Sequence, residues 1–246
     1  MKLFLIRHAQ SANNALAETA AMDDYLAQRS PEPSITELGF RQAQLTADHL
    51  AQLEWPEDPA AKRANDSHGY GFTKLFVSPM WRTLQTALPI AKALNLEPEI
   101  WVDIHEHGGI FHGNPRHGDV VSLPGLSRQE IIDQFPGYRL PDAIKEAGWW
   151  SGGYEEMEGC YARATKVAST LRAWAPDKAD ERIALVSHGT FLDALIKALL
   201  GHDFASQLYY THYNTALTRI DFTPKGFLLL RYLNRTEHLP PELISR

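Results

Sequence analysis

The feature that most limits what this 246-residue chain can fold into is an alternation of two kinds of pattern. Short apolar stretches at residues 3–6, 75–77, 100–102 and 183–186 are rich in β-branched, leucine and aromatic side chains. Unbroken apolar runs of that length suit strands buried on both faces of a sheet, where no polar alternation is needed. Helical patterns lie between them. Ser34 and Glu37 have capping-box spacing, and Leu38, Leu45, Leu50 and Leu53 recur at helical intervals, which predicts a helix from the late thirties to the early fifties. Residues 81–94 form a second helical pattern, which Pro89 is expected to kink or end early. Residues 156–174 and 190–200 form two further ones, the last stopped by Gly201. Residues 215–222 and 227–233, joined through Pro224 and Gly226, read as a closing hairpin. Strands alternating with helices predict an α/β fold: a three-layer α/β/α sandwich with a mostly parallel central sheet and room for one antiparallel edge strand. The whole of 1–246 reads as one domain.

Two segments break the alternation. Residues 54–72, rich in Pro, Ala, Asp and Asn, are expected to form a surface loop. Residues 105–154 are too long for a plain connection and carry their own elements: a capping box at Ser127 and Glu130, a helix stopped by Pro136 and Gly137, and a turn over 141–147. A partly helical cap over a site is the expectation. With 24 Lys+Arg against 30 Asp+Glu, a net charge of -6 and no basic run, neither nucleic acid nor a membrane surface is the expected partner. The single Cys160 has no partner for an intrachain disulfide, and the first apolar run stops at Ile6, so a cytoplasmic location is expected.

In open α/β sheets ligands bind beyond the carboxyl ends of the strands, so the polar residues at each strand exit come first. The first strand ends in Arg7-His8, the second runs into Ser78-Pro79 and Arg82, Glu106 follows the third, and the fourth ends in Ser187-His188-Gly189. Two arginines, two histidines and a carboxylate gathered at one end of a sheet suit an anionic substrate undergoing acid-assisted group transfer.

In LIRHAQSANN at 5–14, ITELGFRQA at 35–43, SPMWRTLQTA at 78–87, Glu106, VSHGTF at 186–191 and Asn214-Thr215, the chain resembles the histidine phosphatase superfamily, also called phosphoglycerate mutase-like, in its branch with an Arg-His-Gly signature. The resemblance implies that His8 is the nucleophile that takes up the phosphoryl group, with a backbone carbonyl holding its other ring nitrogen as a donor. It implies that Arg7 and Arg82 grip phosphoryl oxygens, for which the planar guanidinium is suited and lysine is not. His188 would donate to a phosphoryl oxygen, and Asn14 and Gly189 would contribute to substrate binding. Glu106 would act as general acid and then general base, a role favoured where a substrate and a cap exclude water. No metal or other cofactor is implied, and the expected partner is a small phosphorylated substrate; composition leaves monomer and homodimer equally open.

The chain departs from the family pattern at Ala9, where Gly is usual and a positive φ would cost an alanine roughly 1 kcal/mol, and at Gln10 in place of a common acidic residue. His107-Gly108-Gly109-Ile110 after Glu106 is unlike the Glu-Arg-aromatic run of the mutases, which favours a phosphatase over a 2,3-bisphosphoglycerate-dependent mutase. Other readings stand beside these. The fold could be kept by a non-catalytic phosphate-binding protein. His105, His107, His112 and His117 could form a zinc site, as an alternative to solvent-exposed or pH-sensitive cap residues. Asp103 competes with Glu106 for the acid role. Arg116 and Arg128 are cap cations available to the rest of a charged substrate, and Trp149-Trp150 either lies over an apolar substrate or forms the cap's core.

Overall fold

The computed structural model describes residues 1–52 and 70–246. The N-terminal part runs β1 (Lys2–Arg7), α1 (Ala12–Thr19), α2 (Met22–Gln28), α3 (Glu37–Leu50), β2 (Lys74–Val77), α4 (Trp81–Leu94) and β3 (Glu99–Ile100). The cap contains β4 (Phe111–His112), β5 (Val121–Ser122) and α5 (Arg128–Gln134). The chain then continues through α6 (Met157–Trp174), β6 (Arg182–Ser187), α7 (Gly189–Leu200), β7 (Leu217–Phe222) and β8 (Leu228–Arg235). The fold is the expected α/β sandwich. Its six-stranded sheet has the order β3-β2-β6-β1-β7-β8. The first four of these run parallel, while β7 pairs antiparallel with β1 and β8 pairs antiparallel with β7. Only β7 therefore runs against the other five strands, and it lies one position in from the edge, with β8, which runs in the direction of β1, outside it.

Pleating divides the strand residues between two cores. Phe4, Ile6, Val77, Ala184 and Val186 face α3 and α4, packing with Ala47, Leu50, Leu84, Ala87 and Ile90. Leu3, Leu5, Ile183 and Leu185 face α6 and α7, packing with Val167, Leu171, Phe191 and Leu195. This two-sided burial is why the strands read as unbroken apolar runs. Among the described residues no helix is long and apolar enough to cross a membrane.

Several local expectations need correction. The side chain capping α3 is Thr36, whose hydroxyl accepts from the Gly39 N–H at 3.0 Å. Ser34 instead donates to Gln85 Oε1 at 3.0 Å, so Glu37 lies at the first helical position and makes no capping box. Pro89 does not end α4, which continues to Leu94. Leu84, Ala87 and Ile90 are buried on both sides of it, and that packing offsets the one backbone bond a proline removes. The third strand is only Glu99–Ile100, and Val102 begins a 3-10 turn. The surface loop expected at 54–72 lies mostly outside the described residues. Its end is not surface: Tyr70 and Phe72 pack edge-on against Phe4 at 5.7 and 4.8 Å. The capping box at Ser127 and Glu130 and the left-handed Gly201 stop of α7 are present.

Two glycine requirements shape the site. A Cβ on Gly39 would come within 2.3 Å of the Gln10 carbonyl oxygen, so the ITELG glycine lets α3 press against the loop after β1. Gly108 and Gly109 have φ of 87° and 70°, the left-handed region that glycine adopts without strain, and this turns the chain directly after Glu106. The cap adds no separate core: Ile110, Ile131, Phe135, Ile144 and Trp149 belong to the same apolar cluster as the α3–α4 face of the sheet.

Candidate active site

β1, β2 and β6 lie side by side, so Arg7-His8, Ser78 and Ser187-His188 leave the sheet at neighbouring points. His8 is buried, and its Nδ1 lies 2.7 Å from the carbonyl oxygen of Ala9. A carbonyl only accepts, so Nδ1 carries the proton and Nε2 presents the lone pair. The carbonyl that the sequence left unidentified is therefore the next residue's own. Arg82 Nε donates to His8 Nε2 at 3.2 Å. Burial first, and then the charges of Arg82 and Arg7, hold the His8 ring well below the usual histidine range. His8 is a neutral imidazole with its lone pair at the guanidinium.

Ala9 fits without strain. It is absent from the residues of positive φ, its side chain is buried, and its N–H donates to Thr86 Oγ1 at 3.0 Å. The expected penalty for replacing glycine does not arise.

His188 is fully buried with its ring centroid 5.2 Å from that of His8. Its Nε2 lies 2.7 Å from Ser78 Oγ, while its Nδ1 is buried without a partner. Arg7 donates through Nη1 to the His212 carbonyl at 2.7 Å, and its Nε is likewise buried without a partner. Gly189 is at the first position of α7, where a Cβ would lie 3.5 Å from Arg7 Nε, an ordinary contact that does not require glycine. It does not itself line the cavity. The late Asn214-Thr215 pair straps the end of β1 in place. Asn214 Nδ2 donates to the His8 carbonyl at 3.0 Å and the Thr215 N–H to the Arg7 carbonyl at 3.0 Å. Asn14 caps α1, its Oδ1 accepting from the Ser11 N–H and from Asn214 Nδ2 at 3.1 and 3.3 Å, and it lines the cavity.

Glu106 faces the same space. Its Oε1 accepts from the His107 and Phe191 N–H groups at 2.9 and 3.0 Å, and its Oε2 from the Thr190 N–H at 3.2 Å, so the first turn of α7 holds the carboxylate. Arg163 of α6 fixes the segment leading to it, donating through Nη1 to the carbonyls of Asp103 and His105 at 2.9 and 2.8 Å and pairing with Glu155. Asp103, the competing carboxylate, pairs with Lys166 at 2.9 Å and does not line the cavity.

The cavity measures about 340 Å³ and brings together Arg7, His8, Asn14, Arg82 and Glu106. His188 lies behind His8, outside the lining. The four cap histidines do not converge: His105 is buried against Trp149 and Trp150, His107 lines the cavity, and His112 and His117 are exposed. Among the described residues no group of three or more His, Cys, Asp or Glu is arranged to hold a metal ion. Arg128 is used inside the cap, donating to the Pro141 and Ile144 carbonyls at 3.1 and 3.3 Å, and Arg116 is exposed away from the cavity. Trp149 is buried in the cluster on the α3–α4 face of the sheet, and Trp150 packs against it. Sequence reasoning missed the side walls, which include Tyr25, Arg29, Phe111 and Tyr154. No spacing announces them, since they meet only in the folded chain.

Glu32 accepts from the Trp81 N–H at 2.8 Å, at the start of the helix that carries Arg82. Burial pushes its carboxyl up to about 7 against the pull of Arg82. Burial also holds His105 down to about 3 and His212 to about 4. Unfolded histidine protonates near pH 6.5, so below that value the unfolded chain binds more protons and stability falls as pH falls. At pH 5 each of the two costs about 2 kcal/mol relative to neutral pH. Glu32 has the opposite sign, losing stability as pH rises from 4.5 to about 7, and it offsets about one of them. Thermal unfolding at pH 7 and pH 5 is therefore expected to show a lower midpoint at pH 5; an equal or higher one would contradict the buried neutral histidines.

A neutral imidazole lone pair, two guanidinium groups and a carboxylate at one cavity, with a second buried imidazole beside the first, are the groups that phosphoryl transfer uses. The sequence model of the histidine phosphatase superfamily (branch 1) matches residues 57–235, and the chain belongs to that family. The chain is 26% identical over 242 residues to phosphoserine phosphatase 1 from Hydrogenobacter thermophilus, covering 97% of this chain and 94% of the relative. It is 24% identical over 232 residues to a probable phosphoglycerate mutase from Yersinia pestis, covering 93% and 88%. The solved phosphoserine phosphatase from Entamoeba histolytica, in complex with 3-phosphoglyceric acid, superposes with a TM-score of 0.56 at 21% identity, covering 97% of this chain and 99% of that one.

Proposed function

We propose that this protein, a phosphoric monoester hydrolase of the histidine phosphatase family, acts on a small phosphorylated metabolite through a phosphohistidine on His8. The observation that carries the reading is the grouping of His8 Nε2 at the cavity with two unmatched nitrogens, one on Arg7 in the lining and one on His188 beside His8. His8 Nε2 has its lone pair free for attack once Arg82 turns to the substrate, and the buried Arg7 Nε and His188 Nδ1 have no partner in the protein. Buried donors are normally satisfied, and three phosphoryl oxygens would satisfy these.

In the first step His8 Nε2 attacks phosphorus in line, the P–N bond forming as the bond to the leaving oxygen breaks. Arg7 and Arg82 hold the equatorial oxygens, and His188 donates from Nδ1 if Ser78 donates its hydroxyl proton to Nε2. Glu106, held by three backbone N–H groups, gives a proton to the leaving oxygen as the bond to phosphorus breaks. In the second step Glu106 takes a proton from water as the water oxygen attacks phosphorus, the P–N bond breaks, and inorganic phosphate and neutral His8 are regenerated. In this reading the guanidinium charges take the place of a divalent cation.

The test is phosphate release from a panel of small phosphomonoesters in the presence of EDTA, with interconversion of 2- and 3-phosphoglycerate under a bisphosphate primer assayed alongside. EDTA-resistant phosphate release supports the hydrolase. Activity lost to EDTA would overturn the metal-free chemistry, primer-dependent interconversion without release would make the protein a mutase, and phosphate binding without turnover would make it a binding protein.

A further inference from the structure

The two arginines at the floor of the cavity match one phosphate dianion, yet the cavity carries a third guanidinium that the chemistry above does not use. Arg29, the residue closing α2, is half-buried and lines the same space. Its Cζ stacks 4.1 Å over the Phe111 ring, and its Nη1 makes only a long contact of 3.4 Å to the Phe111 carbonyl. Among the described residues no carboxylate pairs with it. Stacking fixes the plane of a guanidinium and leaves the N–H groups along its edge for an acceptor.

The wall around Arg29 is continuous and contains a second unmatched group. Phe111 meets Tyr154 edge-on at 4.9 Å, and Tyr154 meets His107 at 5.7 Å. His107 Nε2 is buried without a hydrogen-bond partner. A cation held on an aromatic face and an unpaired imidazole nitrogen thus share a cavity of about 340 Å³, a size that suits a metabolite-sized ligand.

From this geometry we infer that Arg29 and His107 form a subsite for a carboxylate borne by the phosphorylated substrate. The inference rests on the hydrolase reading above for the phosphate end. A second phosphate would call for paired guanidiniums such as Arg7 and Arg82, whereas one stacked guanidinium with one imidazole nitrogen beside it matches a carboxylate. The substrate class is a small phosphomonoester of a hydroxy acid or amino acid.

The test compares 3-phosphoglycerate with glycerol 3-phosphate, which differ in having a carboxylate or a CH₂OH at one carbon, and adds glycerol 1,3-bisphosphate as a third compound. The wild type is expected to favour the carboxylate by about tenfold or more in kcat/KM, as a charge-assisted bond implies. Arg29→Gln should lower kcat/KM for 3-phosphoglycerate roughly tenfold to a hundredfold more than for glycerol 3-phosphate, chiefly through KM. Arg29→Lys should recover part of the preference. Calorimetric affinities for the three compounds on the His8→Ala protein give the same comparison without turnover. Equal values for the carboxylate and neutral compounds, equal losses in Arg29→Gln, or a preference for the bisphosphate would overturn the carboxylate subsite. Discrimination in binding with no turnover of any compound would sink the hydrolase reading alone; turnover without discrimination would sink the subsite alone.

Discussion

Replacing His8 with alanine is expected to lower phosphate release by roughly 10⁴-fold or more, the scale on which removal of a nucleophile acts in covalent catalysis. The size of the effect follows from how the residue is held. The Ala9 carbonyl takes the Nδ1 proton, and the charges of Arg7 and Arg82 together with burial keep the ring uncharged, so at neutral pH nearly every molecule presents a nucleophilic Nε2. Neither arginine supplies a lone pair that could replace it. His188 cannot substitute either, because its Nε2 is engaged by Ser78 and it is not among the residues that line the cavity. A circular dichroism melt run beside the kinetics separates loss of chemistry from loss of fold. Turnover by a folded His8→Ala protein within tenfold of wild type would remove His8 from the mechanism.

The second large effect is expected at Glu106 and depends on the leaving group. With an alkyl phosphate the departing oxygen needs a proton, and Glu106→Gln or Glu106→Ala should lower the rate by roughly 10²- to 10⁴-fold. With p-nitrophenyl phosphate the departing phenolate is stable unprotonated, so the first step should suffer far less. The contrast matters because the carboxylate also accepts three backbone N–H bonds, two of them from the first turn of α7. A merely structural role would lower both substrates alike. Steady-state rates on a series of phosphate esters of graded leaving-group acidity check this: a steepened dependence on leaving group supports the acid role, and an unchanged slope with uniformly lower rates would contradict it.

Most of the frame of this site was legible because the physics that places it is local. Strands buried on both faces must be apolar without alternation, and ligand-binding residues follow strand ends, so Arg7, His8, Arg82, Glu106 and His188 stood out from their positions alone. The Gly108-Gly109 pair singled out Glu106, which lies just before it, over Asp103. Other features depended on contacts between distant segments. Ala9 looked costly because its φ was unknown, and Ser34 looked like a helix cap because the pull of Gln85 on its hydroxyl cannot be read from spacing. Pro89 looked like a helix end because propensity ignores the buried residues on either side of it. Arg29 was invisible as a site residue: it closes a short helix with no buried residues, and what fixes its guanidinium is Phe111, 82 positions away.

The covalent step is the central claim, and a rapid-quench experiment addresses it most directly. Wild-type protein mixed with a turned-over phosphomonoester in EDTA, quenched in alkali within milliseconds and digested, should yield a peptide containing His8 that carries one added phosphoryl group, labile to acid and stable to base. The same peptide from His8→Ala should carry none. Full turnover with no phosphoryl group on that peptide at any quench time, or the label on another residue, would contradict the account.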